Sequence, residues 1–383
     1  MKRAMVEHRV VPSNGAGVVR LVEASQDLTT PFLLIDQTHL RWNVRKFHAA
    51  FPGAGIFYAV KANAHPGVIR TLAEEGCGFE ISSDGELDLV NAAGRGGALL
   101  SSNPIKAPSF IRRAAEAGVT AFAVDSIDEL LKIAGEAPGV AVYVRLLVDN
   151  EGSEWPLTRK YGVGPTEAVD LLVQAAGLGL TPLGTTFHVG SQCRLSASWD
   201  AALALTADVW NHARRRDIRL SFLSIGGGFP VHHTREIPAL AEIGDVVRRA
   251  IADRFPPDAQ LTLEPGRAIV GDAALLGASV IGKARRGDEQ WVYLDVGVFN
   301  GLMETIGGFS YEVATRVDGP RSKVVLAGPS CDSVDVIGES IELPDLNVGD
   351  RVYFVNAGAY TLAYAAHFNG WPPPSVHFVR GAD

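Results

Sequence analysis

Cysteine is scarce in this chain. Cys77, Cys193 and Cys331 are the only three in 383 residues, too few and too scattered for a disulfide framework or a cysteine-rich zinc site. Positive charge is not in excess either. Lysine and arginine number 35 against 43 acidic residues, a net charge of −8, which argues against a general role on nucleic acid or anionic membrane. No stretch approaches the roughly 20 apolar residues of a membrane span, and the opening MKRAMVEHRVVPSNG has no apolar core like that of a signal peptide. Internal repeats, low-complexity tracts and an opening dinucleotide fingerprint are also missing. What is present is a globular profile, 47% hydrophobic and 20% charged, with length for two domains. A reduced, cytoplasmic enzyme is the expectation.

Short apolar runs ending in polar or glycine-rich corners predict strands near 56–60, 79–82, 98–102, 121–124, 140–148, 183–189, 222–226 and 261–264. Helical patterns alternate with them. Asp84 is placed to cap GELDLVNAAG, Ser126 to cap IDELLKIAG with Glu129 at capping-box spacing, and PTEAVDLLVQAAGLG starts at proline and stops at glycine. Eight strand–helix units predict a (β/α)8 TIM barrel over residues 31–267, with a doubly wound open sheet as the rival. After about residue 268 the texture becomes all-β. ASVIGKARRG, QWVYLDVG, SKVVLAGPSCDSV, DRVYFVNAG and SVHFVRG read as strands between Gly, Pro and Asp corners. Residues 1–30 read as extended and are assigned with 268–383 to this second domain, a sandwich or small barrel.

Chemistry in such barrels gathers at the C-terminal ends of the strands. There stand Lys61, Glu80, Ser82, Asn103, Arg145, His188, Gly226 to Gly228, and Glu264 to Arg267. A lysine ending the apolar strand FYAV is an expensive charge to desolvate; in a partly apolar mouth the neutral, nucleophilic amine is favoured. Taken alone it also reads as a surface lysine. The glycines of SIGGGFP expose backbone N–H groups where this fold commonly holds phosphate, or form a plain turn. Glu264 can hold a proton on a heterocyclic nitrogen and Arg267 can pair with phosphate, or the two pair with each other. His188 can lie flat on an aromatic ring or be a buried structural residue. No second histidine follows at metal-ligand spacing, so no metal is expected.

Together, YAVKAN, HVGSQ, GGGF and EPGR resemble the pyridoxal-phosphate decarboxylases of the alanine-racemase fold. SSNPIK, GPSCDSVDVI and NAGAYTLAYAAHFNG look most like the ornithine and lysine decarboxylases, with the similarity running from about residue 30 to 380. The resemblance implies that Lys61 holds pyridoxal 5'-phosphate covalently, that Glu264 keeps the ring nitrogen protonated, and that His188 stacks on the ring. Glu80 and Arg145 match positions beside the ring. Ser191, Gly226, Gly227, Gly228, Arg267 and Tyr360 match the phosphate grip. Cys331 and Asp332 match residues lent across a homodimer interface, the cysteine as proton donor to carbon and the aspartate as ligand of the substrate's distal amine. Phe368 and Asn369 match the wall of the site.

The implied activity is decarboxylation of ornithine or lysine to a diamine and carbon dioxide. Racemases of this fold usually carry arginine where Glu264 stands. One departure concerns specificity: after FNGLMET the sequence has Gly307 and Gly308 in a segment where relatives acting on ornithine or lysine usually place an acid. A longer or derivatised diamino acid is therefore an alternative, as are a diaminopimelate-type decarboxylase and a catalytically silent regulator. Lys61, His188, Glu264, Cys331 and Asp332 are all present, which argues against silence.

Overall fold

The computed structural model describes residues 15–94, 96–157 and 159–380. They form two compact units. One comprises Arg41–Pro230 and Ile237–Ile269; the other comprises the described residues up to Leu40, the segment Val231–Glu236 and those from Val270 onward.

The first unit contains a closed barrel of eight parallel strands in chain order: Gly55–Ala59, Gly78–Glu80, Leu99–Ser101, Val119–Val124, Ala141–Arg145, Thr181–Thr186, Phe222–Ser224 and Gln260–Leu263. The eighth closes on the first through Thr262 opposite Gly55 and Leu263 opposite Ile56. A cluster of Leu100, Ala121, Ala123, Tyr143 and Phe222 is buried together. Small alanines beside large rings let the layers of a barrel interior interdigitate, and the Tyr143 and Phe222 rings meet at 5.0 Å.

The helices start close to the expected places, with one shift. Ser83, not Asp84, caps Asp84–Ala92, its Oγ accepting the Glu86 N–H at 3.3 Å; Asp84 is the first helical residue and pairs with Arg113. Ser126 caps Ile127–Glu136 by accepting the Glu129 N–H. The Glu129 carboxylate does not complete a capping box. It is buried between Lys106 at 3.1 Å and Lys132 at 2.6 Å. Lys106 also donates to the carbonyls of Asn103 and Ala123, tying the loop after the third strand to the fourth, and burial pulls its pKa down to about 8.

In the second unit the strands run in the order Glu312–Thr315, Arg351–Val355, Ala274–Arg286, Glu289–Leu294, Arg321–Ala327 and Val336–Pro344. Phe32–Asp36 joins them, antiparallel to Ala274–Arg286 and parallel to Ser375–Val379. This moves the boundary expected at residue 31, because that strand belongs with the β unit and not with the barrel. The extended reading of residues 1–30 also changes. Gly15–Ala24 is a helix, and Val18, Leu21 and Val22 recur at helical spacing to pack on Phe32, Leu34, Leu275 and Tyr353. Residues 1–14 lie outside the described part. Among the described residues no helix is long and apolar enough to cross a membrane.

Candidate active site

Lys61 sits in the single turn Val60–Ala62 that follows the first barrel strand. Its Nζ lies 2.7 Å from Glu80 Oε2 at the end of the second strand. The counter-charge explains how a lysine is tolerated there. Glu80 is the buried partner, its side chain 1% exposed, while that of Lys61 is 52% exposed, so the amine stays reachable and its apolar surroundings are only partial. Glu80 Oε1 accepts from Ser82 Oγ at 3.0 Å, and the Ser82 N–H donates to Glu86. Burial and then the Glu80 charge push the Glu86 carboxyl up to about 7.

Glu264 directly follows the eighth strand and is buried. Burial, reinforced by the charge of Glu80, holds its carboxyl above the usual range against hydrogen bonds from Ser224 and Ser102. Ser224 Oγ donates to Glu264 Oε1 at 2.5 Å and accepts the Gly226 N–H at 3.1 Å. The Gly226 carbonyl accepts the Glu264 N–H at 2.8 Å. The ends of the seventh and eighth strands are thus laced together around one carboxyl. Gly226 and Gly228 have φ of +62° and +91°, a region that favours glycine. A Cβ at Gly226 would collide with the Phe187 carbonyl, at Gly227 with that of Glu264 and at Gly228 with that of Gly190.

His188 lies just beyond the sixth strand, and its Nδ1 accepts the Gly190 N–H at 3.0 Å. Burial, then the positive charges of Arg145 and Lys61, push its pKa down to about 3, so the imidazole is neutral at any working pH. Arg145 ends the fifth strand with its guanidinium carbon 5.3 Å from the Tyr161 ring centroid, and burial pulls its pKa below the usual value. Arg267 opens the short helix Arg267–Val270 and is buried. Ser191 opens a strand paired with Ser153–Trp155. Asn103, at another strand end, has its carbonyl engaged by Lys106.

The other residues named from the sequence lie in the β unit. Cys331 is exposed, and its N–H and Sγ both reach Asn369 Oδ1, at 3.1 and 3.2 Å. Asp332 is exposed and accepts the Val334 N–H at 2.9 Å. The Phe368 ring lies 4.5 Å from that of Phe299. Tyr360 stacks on Tyr364 at 5.7 Å. Gly308 is more than a missing side chain: with φ of +85° it ends the turn Met303–Gly307. That turn does carry an acid, Glu304, buried and 3.5 Å from the Tyr311 hydroxyl.

The family described as pyridoxal-dependent decarboxylase, pyridoxal binding domain, matches residues 37–271, more than half of the chain. The chain belongs to the pyridoxal-dependent decarboxylases. Among its relatives, a lysine/ornithine decarboxylase of Selenomonas ruminantium is 35% identical over 90% of this chain and 88% of that protein. An antizyme inhibitor 2 of Xenopus laevis is 33% identical over 87% of this chain and 77% of that protein. A solved lysine/ornithine decarboxylase of Vibrio vulnificus, complexed with putrescine, superposes with a TM-score of 0.87 at 33% identity, over 97% of this chain and 99% of that one.

This decarboxylase uses pyridoxal phosphate, and its barrel unit suits that cofactor. A reachable amine, a buried carboxyl with a raised pKa, a neutral imidazole and a glycine loop closed to any Cβ all stand at strand ends. Sequence reasoning missed Ser224, Ser102 and Glu86. Ser224 was findable in principle, two residues before the glycine triplet on the strand neighbouring Glu264. Ser102 had a similar signal, at the end of the strand predicted at 98–102 and inside SSNPIK; Glu86 carries none.

Proposed function

We propose that the substrate of this decarboxylase is a basic diamino acid, ornithine or lysine first, and that the product is the corresponding diamine, a step of polyamine biosynthesis in the cytoplasm. The observation that carries the reading is the Cys331–Asp332 pair, an exposed thiol next to an exposed carboxylate. A diamino acid needs both a proton delivered to carbon and an anion for its distal ammonium. Pyridoxal phosphate supplies the sink for the electron pair left when the carboxylate departs as carbon dioxide.

The chain's own residues do the rest. Lys61 holds the cofactor covalently. The Glu264 carboxyl, buried and pulled toward protonation, is stabilised as an anion only beside a cation, so it keeps the ring nitrogen protonated. A neutral His188 lies against that cationic ring without repelling it. Glu80 and Arg145 flank the ring. The Gly226 N–H is engaged by Ser224, so the phosphate is held by the backbone of Gly227 and Gly228 with Ser191, Arg267 and Tyr360. Cys331 gives its proton to carbon, Asp332 takes the distal ammonium, and Phe368 and Asn369 wall the site.

Loaded enzyme is expected to release carbon dioxide and the matching diamine from ornithine or lysine at least about tenfold faster than from arginine or diaminopimelate, a difference of roughly 1.4 kcal/mol in transition-state binding. Radiolabelled carbon dioxide release and mass spectrometry of products measure this. No release from any diamino acid would overturn the reading and leave the silent regulator.

The working assembly in this proposal is a homodimer in which each chain lends its Cys331 loop to the other. Exposed Val334 and Phe368, close in sequence to Cys331 and to its partner Asn369, support a covered face. Mixing inactive Lys61→Ala chains with inactive Cys331→Ala chains is then expected to restore activity. About half the dimers are hybrids with one intact site each, so roughly a quarter of wild-type turnover returns. No return after verified subunit exchange excludes the shared site.

A further inference from the structure

Asp335 is a buried carboxylate in the β unit, 3% exposed, that the reading above leaves without a role. Its Oδ1 accepts the Val298 N–H at 2.7 Å, and its Oδ2 accepts the Ser330 N–H at 2.9 Å. Its own N–H donates to the Asp332 carbonyl at 3.1 Å, and its carbonyl accepts the Gly328 N–H at 2.9 Å. The chain is shaped to admit it: a Cβ at either Gly297 or Gly328 would collide with Asp335 Oδ1. One carboxylate therefore joins two separate loops, residues 296–300 and 328–335, on both sides of Cys331 and Asp332.

A third loop completes the frame. Asn369 Oδ1 holds the Cys331 N–H, and the Ala366 N–H donates to the Phe299 carbonyl at 2.8 Å. Phe299 follows Val298, which Asp335 grips, so the three loops brace one another. Of the two N–H groups that the Asp335 carboxylate holds, that of Ser330 is the nearer to the thiol in the chain, one residue before Cys331.

We propose that Asp335 is a positioning residue: by holding the N–H groups of Ser330 and Val298 it aims the Cys331 thiol and the Asp332 carboxylate. This rests on the function proposed above. It acts through backbone and touches no substrate. An amide in its place keeps the volume but turns one NH2 toward a backbone N–H, so one of the two grips opens.

The test compares holoenzyme of wild type and Asp335→Asn. The variant is expected to lose at least about 30-fold in kcat/KM, since displacing a reacting group by an ångström costs on the order of 100-fold. The loss divides between kcat, through Cys331, and KM, through Asp332. Visible absorbance of bound cofactor per subunit stays unchanged. Independently of turnover, the rate of Cys331 alkylation by iodoacetamide, mapped by mass spectrometry, is expected to change by about fivefold or more, because thiol reactivity follows its surroundings. Alkylation and kcat both within about twofold of wild type overturn the proposal. If Asp335→Asn fails to fold, hydrogen exchange in the unmodified holoenzyme decides: protected Ser330 and Val298 amides uphold the grip, and free-loop exchange at Ser330 refutes it. Wild-type turnover in Cys331→Ala sinks the proton-donor reading instead, and the alkylation rate still judges the positioning.

Discussion

Lys61→Ala is expected to lower decarboxylation by at least about 1,000-fold and to erase the visible absorbance of bound cofactor. Alanine also strips the buried Glu80 of its counter-charge, an error of a kind that costs several kcal/mol when the site is dry. Lys61→Arg separates the two effects. A guanidinium restores the ion pair with Glu80 but does not condense with an aldehyde under ordinary conditions, because it stays protonated. The arginine variant should fold like wild type and remain dead. Carbon dioxide release, an absorbance spectrum and a melting curve measure the three quantities. Turnover retained in both variants would remove Lys61 from the site.

Glu264→Gln is expected to cut kcat by roughly 100- to 1,000-fold while cofactor affinity changes less than about tenfold. The split follows from geometry. Glutamine keeps the volume, and its amide oxygen can still accept from Ser224. It carries no charge, so it cannot hold a proton on a ring nitrogen. In the proposed site the phosphate is gripped elsewhere, by the backbone of Gly227 and Gly228. Titration with cofactor followed by single-turnover kinetics separates the two constants. Equal losses in both would make Glu264 a structural residue.

The barrel was legible because each of its strands is a short apolar run ended by a polar corner, and because the chemistry of this fold falls at those corners. Lys61, Glu80, Arg145, His188 and Glu264 were singled out by position before any role was assigned, and the fold places each at or just beyond a barrel strand end. The residues that hold them were harder. Ser224 acts through a hydroxyl, and its one signal is its place two residues before the glycine triplet; Asp335 acts through two backbone amides, a contact that leaves no pattern in neighbouring residues. Lys106 closes SSNPIK with no role read for it from the sequence, yet it is buried against Glu129; that partner was already assigned to a helix cap from local spacing. Phe32–Asp36 shows the same limit at the level of fold. FLLID is a plain strand, but nothing local says that its neighbours come from the far end of the chain.

That pairing sets an order of events during synthesis. All eight barrel strands lie between Gly55 and Leu263, so the barrel can close as soon as they have emerged. Phe32–Asp36 precedes them and must wait for Ala274–Gly277 and then Ser375–Val379. At about 10 residues per second the wait is roughly half a minute. Through most of it these five residues, all buried in the end, have only the preceding helix Gly15–Ala24 to pack against, and the edge that Ser375–Val379 will pair stays open for about 10 s after the barrel is complete. The newborn chain therefore carries an apolar ribbon with one edge that its last segment closes, and shielding by chaperones would be needed most in that interval.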